Sequence, residues 1–278
     1  TCEFDMTDTG LKGTMMKTNY KNWVPRGMIC WAGGLALISL AAALMSWFIL
    51  DQITPWVRVF MVVAFILGAV FMGVICLWCL FAYRAFSYHG KKQLARHITE
   101  GVARYVILPQ GGTGLDVGCG SGALTIASAK QNPRASMVGV DLWSGSYISY
   151  SQALCENNAQ AEGVHNTRFQ PGNAVHLDFA DETFDAVTSN YVYHNISGIN
   201  KQQLLLETLR TLKKGGCFAL HDIMTPQRYG DMNQFARMLK DQGYEKVHML
   251  LTSNGKLISE KDAKRFFLTG STLLYGIK

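Results

Sequence analysis

The densest chemical signal in the chain is Leu115-Asp116-Val117-Gly118-Cys119-Gly120-Ser121-Gly122. Glycines at alternate positions let a backbone turn sharply, adopt positive φ and bring N–H groups close to a ligand. The run follows a short β-rich stretch and precedes a helical one, where α/β sheets bind nucleotide-like cofactors. Gly118, Gly120 and Ala123 satisfy G-x-G-x-x-G/A, a dinucleotide fingerprint, and Asp141 closes the next β-rich stretch, where an acid meets ribose hydroxyls. Asp116 separates two chemistries. A carboxylate two residues before the first glycine repels a pyrophosphate but attracts a cofactor with a cationic end.

Asp116-x-Gly118-x-Gly120-x-Gly122 matches D-x-G-x-G-x-G at every fixed position. Here the chain resembles the class I S-adenosylmethionine-dependent methyltransferases, nearest their ubiquinone/menaquinone-biosynthesis-like branch. The resemblance covers residues 114 to about 223. It implies S-adenosyl-L-methionine as cofactor, with Asp116 favouring its cationic amino acid end and Gly118, Cys119 and Gly120 among the residues that bind it. Asp141 is then expected on the ribose hydroxyls and Leu142 beside the adenine, with Trp143 either a stacking wall or a packing residue. Pro171-Gly172-Asn173-Ala174 falls where the family has Gly-Asp-Ala. The Asn173 carbonyl can still accept a hydrogen bond from the adenine amino group. Asn190, expected with Ala174 among the cofactor-binding residues, ends the segment that looks like the fourth strand, and Arg210-Thr211-Leu212-Lys213-Lys214-Gly215-Gly216 looks like the turn before the fifth, with Lys214 in place of the usual proline.

Methyl transfer asks an enzyme mainly for alignment and sometimes for removal of a proton. The acceptor belongs beyond the fourth strand, at Asn190-Tyr191-Val192-Tyr193-His194-Asn195. His194 is the candidate general base, or a hydrogen-bonded histidine at a helix start. Tyr191 and Tyr193 either shape the acceptor pocket or face the core. His221-Asp222 ends the fifth strand as a second base or a strand cap. The prolines of [DNS]-P-P-[YF] are absent, which gives no support to planar-amine methylation. Cys76 and Cys79 have redox spacing but lie in an apolar run where a thiolate is disfavoured. His89, His97, His165, His176 and His248 form no spaced metal pair, so no metal is expected.

The elements that must position these residues begin near residue 113. Short β-rich runs at 114–117, 137–142, 167–170, 184–189 and 217–222 alternate with helical stretches at 123–130, 147–161, 201–212 and 229–242. Runs at 246–251 and 271–277 close the chain. Alternation of this kind predicts an α/β fold, a Rossmann-like doubly wound and mostly parallel sheet with a terminal antiparallel strand.

Ahead of this domain lie Met28–Leu50 and Val59–Tyr83, runs of 23 and 25 residues without a charge. About 20 helical residues cross a hydrocarbon core, so a two-helix transmembrane hairpin is expected. Five of six tryptophans, Trp23, Trp31, Trp47, Trp56 and Trp78, lie in or beside these runs. Lys12, Lys17, Lys21 and Arg26 precede the first run, Arg84, Lys91, Lys92, Arg96 and Arg104 follow the second, and only Arg58 lies between. The positive-inside rule then puts both termini and the catalytic domain in the cytoplasm. The expected organisation is a cytoplasmic segment (1–27), the hairpin (28–83), a basic amphipathic connector helix (84–112) and a cofactor-binding domain (113–278). The connector either lies on anionic headgroups or caps the domain. Small residues at Ala41-Ala42-Ala43 could pair copies of the chain.

Of 278 residues 49% are apolar and 17% charged, which excludes intrinsic disorder. Seven scattered cysteines are no disulfide framework. The net charge of +6 sits largely beside the apolar runs and no aromatic-basic stretch accompanies it, so nucleic acid is not expected as a partner. The expectation is a membrane-anchored methyltransferase with a lipid-soluble or lipid acceptor. The alternatives are a membrane-anchored NAD(P)-dependent oxidoreductase and a non-catalytic S-adenosylmethionine-binding membrane protein.

Overall fold

The computed structural model describes residues 17–48, 53–143 and 150–278. Lys12, Leu50, the start of the turn between the apolar runs and residues 147–149 of the expected helix lie outside them. Helices α1 (Arg26–Phe48) and α2 (Pro55–Phe86) form an antiparallel hairpin. Pro55 supplies a preset first turn for α2. The two pack through small side chains: Ala32, Ala43 and Ser46 are buried, and the Cys76 thiol donates to the Ile29 carbonyl. Part of the alanine stretch is thus used within one chain. Both helices are long and apolar enough to cross a membrane, with mean hydropathies of 2.1 and 2.8. Their outward side chains, among them Leu37, Phe48, Phe60, Leu67 and Phe71, are uncovered.

The rest is one α/β unit. After α3 (Leu94–Ala103) come β1 (Thr113–Val117), α4 (Ala123–Gln131), β2 (Ser136–Asp141), α5 (Gln152–Ala161), β3 (Thr167–Pro171) and β4 (Phe184–Asn190). They are followed by α6 (Lys201–Arg210), β5 (Leu212–Ile223), α7 (Pro226–Tyr229), α8 (Met232–Asp241), β6 (Lys246–Leu251), α9 (Glu260–Arg265) and β7 (Ser271–Ile277). Helix starts follow local chemistry, since Ser151, Asn200, Asp231 and Ser259 each accept an N-cap bond from the first turn.

The seven strands run in the order β3-β2-β1-β4-β5-β7-β6, with β7 antiparallel to both neighbours. This is the expected Rossmann-like sheet. Strand order reverses between β1 and β4, a topological switch point that opens a crevice at the carboxyl ends of the strands. Near-continuous apolar runs such as Val138 and Val140 in β2 and Phe218 and Leu220 in β5 are buried because helices cover both faces.

Helix α3 is part of this unit. Leu94, Ala95, Ile98 and Val102 are buried, and the helix packs on α4. Its apolar face is occupied by protein, which takes that face away from headgroups. The end of α2 also enters the domain: Cys79, Ala82, Ala85 and Phe86 join Ile98, Ile223, Ile258, Phe266 and Leu268 in one cluster. Ile223 ends β5, so the hairpin docks on the carboxyl edge of the sheet, the same edge as the crevice.

Candidate active site

The glycine loop leaves β1 at Val117 with φ of +73° at Gly118 and +57° at Gly120. The two glycines are required for different reasons. A Cβ on Gly118 would stand 2.4 Å from the Val192 side chain, whereas one on Gly120 would meet nothing nearer than a Tyr150 ring carbon at 4.0 Å. Gly118 is therefore bare to let the loop after β4 approach, and Gly120 borders open space.

Asp141, at the end of β2, accepts the Gly120 N–H on Oδ2 (2.9 Å) and the Trp143 N–H on Oδ1 (2.9 Å). Each oxygen keeps a lone pair for a further donor, as a ribose diol requires. Leu142 is 58% exposed beside it, an apolar surface at the mouth. Trp143 donates its indole N–H to the Gly120 carbonyl (2.9 Å) and packs on a core cluster, so it holds the loop in place. Ala174 is buried. The Asn173 carbonyl already accepts the Val175 N–H at 3.0 Å, leaving one lone pair for another donor.

Asp116 is placed differently from the expectation. It is buried beneath the loop, where its carboxylate accepts the Thr125 hydroxyl at 2.6 Å. Burial pushes its pKa up to about 7, against the Thr125 bond and with the Asp141 charge adding to the rise. The alternation of β1 turns this side chain inward. Its direct partner is Thr125, and its effect on a ligand passes through the loop. Cys119 is buried as well, and burial keeps its thiol protonated.

The segment expected to meet an acceptor follows β4. The Asn190 carbonyl and Thr252 hydroxyl bracket the His221 ring at 2.8 Å each. Burial lowers the His221 pKa to about 4, so the ring is neutral. Tyr191 has φ of +57° and its hydroxyl lies 2.6 Å from Ser271 Oγ. Its ring meets His221 and Trp23 edge-on, with centroids 4.7 and 5.4 Å away. Tyr193 faces the core, 1% exposed, with its hydroxyl 2.6 Å from Thr208 Oγ1. It supports the segment from behind.

His194 and Asp222 form a dyad. The ring Nδ1 lies 2.6 Å from Asp222 Oδ1, and the His194 backbone N–H donates to Oδ2 at 3.1 Å. The carboxylate is fully buried, while the imidazole is 18% exposed. Burial alone would raise the Asp222 pKa, but the bonds from the His194 ring and from the Ile223 and His194 amides outweigh it and hold the group below its ordinary value. An anionic carboxylate on Nδ1 fixes the tautomer that leaves Nε2 as the basic atom.

A strap that sequence reasoning missed closes one side. Ser121, in the glycine loop, donates to the Tyr20 carbonyl (2.9 Å), and Asn158 exchanges bonds with Asn19 while donating to the Ser121 carbonyl (3.0 Å). Tyr20 is buried with its hydroxyl on Glu162, and Trp23 packs on Phe86 and Tyr191. No signal in the sequence ties residues 19–23 to a loop a hundred positions away. Among the described residues no cluster of three metal-ligating side chains occurs.

The fold and this crevice define a Rossmann-like domain built to bind a nucleotide-type cofactor at the carboxyl edge of its sheet. Residues 109–267 match the family model described as a methyltransferase domain, and the chain belongs to that family. It is 34% identical over 113 residues to an uncharacterized methyltransferase, YcgJ, of Bacillus subtilis, covering 41% of each chain. It is 33% identical over 124 residues to a demethylmenaquinone methyltransferase of Bacillus licheniformis, covering 44% of this chain and 50% of that one. The chain thus spans about half the length, or less, of these curated relatives. The crystal structure of the [4+2]-cyclase SpnF superposes with a TM-score of 0.51 at 20% identity, over 67% of this chain and 82% of that one, a likeness of fold alone.

Proposed function

We propose that this protein is an integral membrane methyltransferase that uses S-adenosyl-L-methionine to methylate a lipid-soluble acceptor. The observation that carries the reading is the shared edge: the apolar hairpin docks through Phe86, Ile223 and Phe266 where the glycine loop, Tyr191 and His194 also lie. An acceptor dissolved in the bilayer would reach the crevice without crossing bulk water. Membership of the methyltransferase family favours this cofactor over the dinucleotide that Gly118 and Gly120 also admit.

The residues fit the cofactor. Open space over Gly120, two spare lone pairs on Asp141 and the exposed Leu142 side chain suit a loop-bound amino acid end, a ribose diol and an adenine respectively. Once bound, S-adenosylmethionine supplies an electrophilic methyl group for in-line displacement. His194 Nε2 takes the acceptor's proton, Asp222 stabilises the imidazolium that results, and Tyr191 and Trp23 wall the acceptor side. Relatives named as demethylmenaquinone methyltransferases make a quinone-like ring the first acceptor class to try. The excess of Lys and Arg outside the hairpin over Arg58 within it supports cytoplasmic termini and a cytoplasmic catalytic domain. Apolar outer faces on α1 and α2 also leave room for pairing of two copies.

The test is transfer of labelled methyl from S-adenosylmethionine by detergent-solubilised protein to a total lipid extract, with Asp141→Ala as control. Label in the organic phase, lost in the variant, is expected. Cofactor binding without transfer would favour a non-catalytic or water-soluble-acceptor reading.

A further inference from the structure

The C-terminal end of α2 and the loop after α9 border a second cleft of about 470 Å³, whose lining includes no residue of the glycine loop. Its walls include Phe81, Arg84, Lys91, Lys92, Arg265 and Phe266. We propose that this cleft binds the headgroup of an anionic phospholipid, a proposal that rests on the membrane reading above.

The two ends of the cleft differ in chemistry. Leu77, Leu80 and Phe81 are the last exposed apolar residues of α2, and exposed Arg84 stands three positions further on. The hydrocarbon boundary therefore falls within the cleft itself. Of the four cations, Lys92 pairs with Asp262 and also lies over the Phe266 ring. Arg84, Lys91 and Arg265 take part in no ion pair among the described residues, and all three are exposed. Such a basic pocket beside a span suits a phosphodiester.

A second observation comes from the catalytic domain. Phe267 is 74% exposed and sits at φ of +57°, a conformation that bulky residues rarely adopt. The loop is pinned to the membrane helix, since the Trp78 indole N–H donates to the Arg265 carbonyl (2.9 Å) and the Trp78 and Phe267 rings lie 5.5 Å apart. Trp78 is near the end of an apolar span, at the depth interfacial tryptophans favour. Phe267 is held at that depth too, where water gives its ring no favourable contact and acyl chains do. Basic side chains and the exposed Phe81 ring in the lining, with the Phe267 ring next to the cleft residue Phe266, suit a ligand that is both anionic and apolar, a phospholipid and not free phosphate.

The experiment is native mass spectrometry of the full chain in a neutral detergent, with phosphatidylglycerol or phosphatidylcholine of matched acyl chains. Inorganic phosphate serves as competitor. The variants are Arg84→Gln/Lys91→Gln/Arg265→Gln and Phe267→Asn, asparagine being a residue that tolerates the left-handed backbone. S-adenosylmethionine binding is measured on each sample to report an intact fold. Phosphatidylglycerol should be retained over phosphatidylcholine. Each basic group near an anionic headgroup contributes about five-fold, so the triple variant should lose on the order of a hundred-fold in affinity. Phe267→Asn should lower retention several-fold with cofactor binding unchanged. Equal retention of the two lipids, undiminished retention in a triple variant that still binds cofactor, or displacement by millimolar phosphate would overturn the proposal. Selective retention by a protein that methylates no lipid acceptor would support this site and count against the proposed acceptor alone.

Discussion

His194 and Asp222 are tied together twice, by ring Nδ1 to Oδ1 at 2.6 Å and by backbone N–H to Oδ2 at 3.1 Å. The double tie means that Asp222 sets both the tautomer of the imidazole and the place of the turn that carries it. If His194 is the general base, Asp222→Asn and His194→Ala should each lower kcat by about 10²- to 10⁴-fold. The double variant should be little worse than either single one, because the pair acts as a unit. Single-turnover methyl transfer with cofactor binding measured in parallel checks this. Unchanged kcat in His194→Ala would remove the base role.

Gly118 and Gly120 share a left-handed backbone but should fail differently when a methyl is added. Both alanine variants carry a backbone cost of about 1–2 kcal/mol. Gly118→Ala adds a clash with Val192 and should show a clearly lower thermal midpoint. Gly120→Ala has room for its Cβ in the folded protein and should instead lose about ten-fold or more in S-adenosylmethionine affinity. Calorimetric binding and thermal unfolding, run on both variants, separate the two effects.

Two buried groups impose opposite pH dependences on stability. Asp116 is raised from 3.8 to about 7 by burial, so between those values the folded protein holds a proton the unfolded chain has released. Its contribution is complete below about pH 4 and falls, by about 4 kcal/mol in all, as pH rises through 7. His221 is lowered from 6.5 to about 4 by burial, so in that window the unfolded chain holds the extra proton. Its contribution is present above pH 6.5 and lost, by about 3 kcal/mol, as pH falls through 4. Relative to the parent, Asp116→Asn should make stability climb more steeply with pH between 4 and 7, and His221→Gln should make it climb less. Denaturation midpoints across that range check both signs.

Asn158 joins the strap to the glycine loop through Asn19 and the Ser121 carbonyl. Asn158→Ala removes the buried bond to the Ser121 carbonyl along with both ties to Asn19, and should cost about 1–3 kcal/mol. Because Ser121 belongs to the cofactor loop, KM for S-adenosylmethionine should rise while kcat stays near the parent value. Steady-state kinetics with varied cofactor gives the split, and a fall in kcat alone would contradict it.

Much of the architecture was legible from residue order. Glycines at alternate positions, an acid closing β2 and apolar runs of strand length identify an α/β cofactor domain, and two long uncharged runs identify the hairpin helices. These features depend on a few neighbouring residues. Side-chain direction at the site did not follow from them. Asp116 and Tyr193 had the right types in the right segments, yet the alternation of β1 and the turn after β4 point both inward. The apolar face of α3 reads equally as headgroup-facing or domain-facing in the sequence, and only its packing on α4 assigns that face to the domain.

By itself, then, the sequence determined the fold class, the family's glycine motif and the candidate base, because each is written in local spacing. The tertiary structure decided which partners those residues meet. Asp222 reaches His194 across 28 positions, and Tyr20 meets Ser121 across 101. It also decided that the hairpin and the crevice share one edge of the sheet. The reason is physical: such contacts form only when strand order and helix packing bring distant segments together, and no short stretch of chain encodes that proximity.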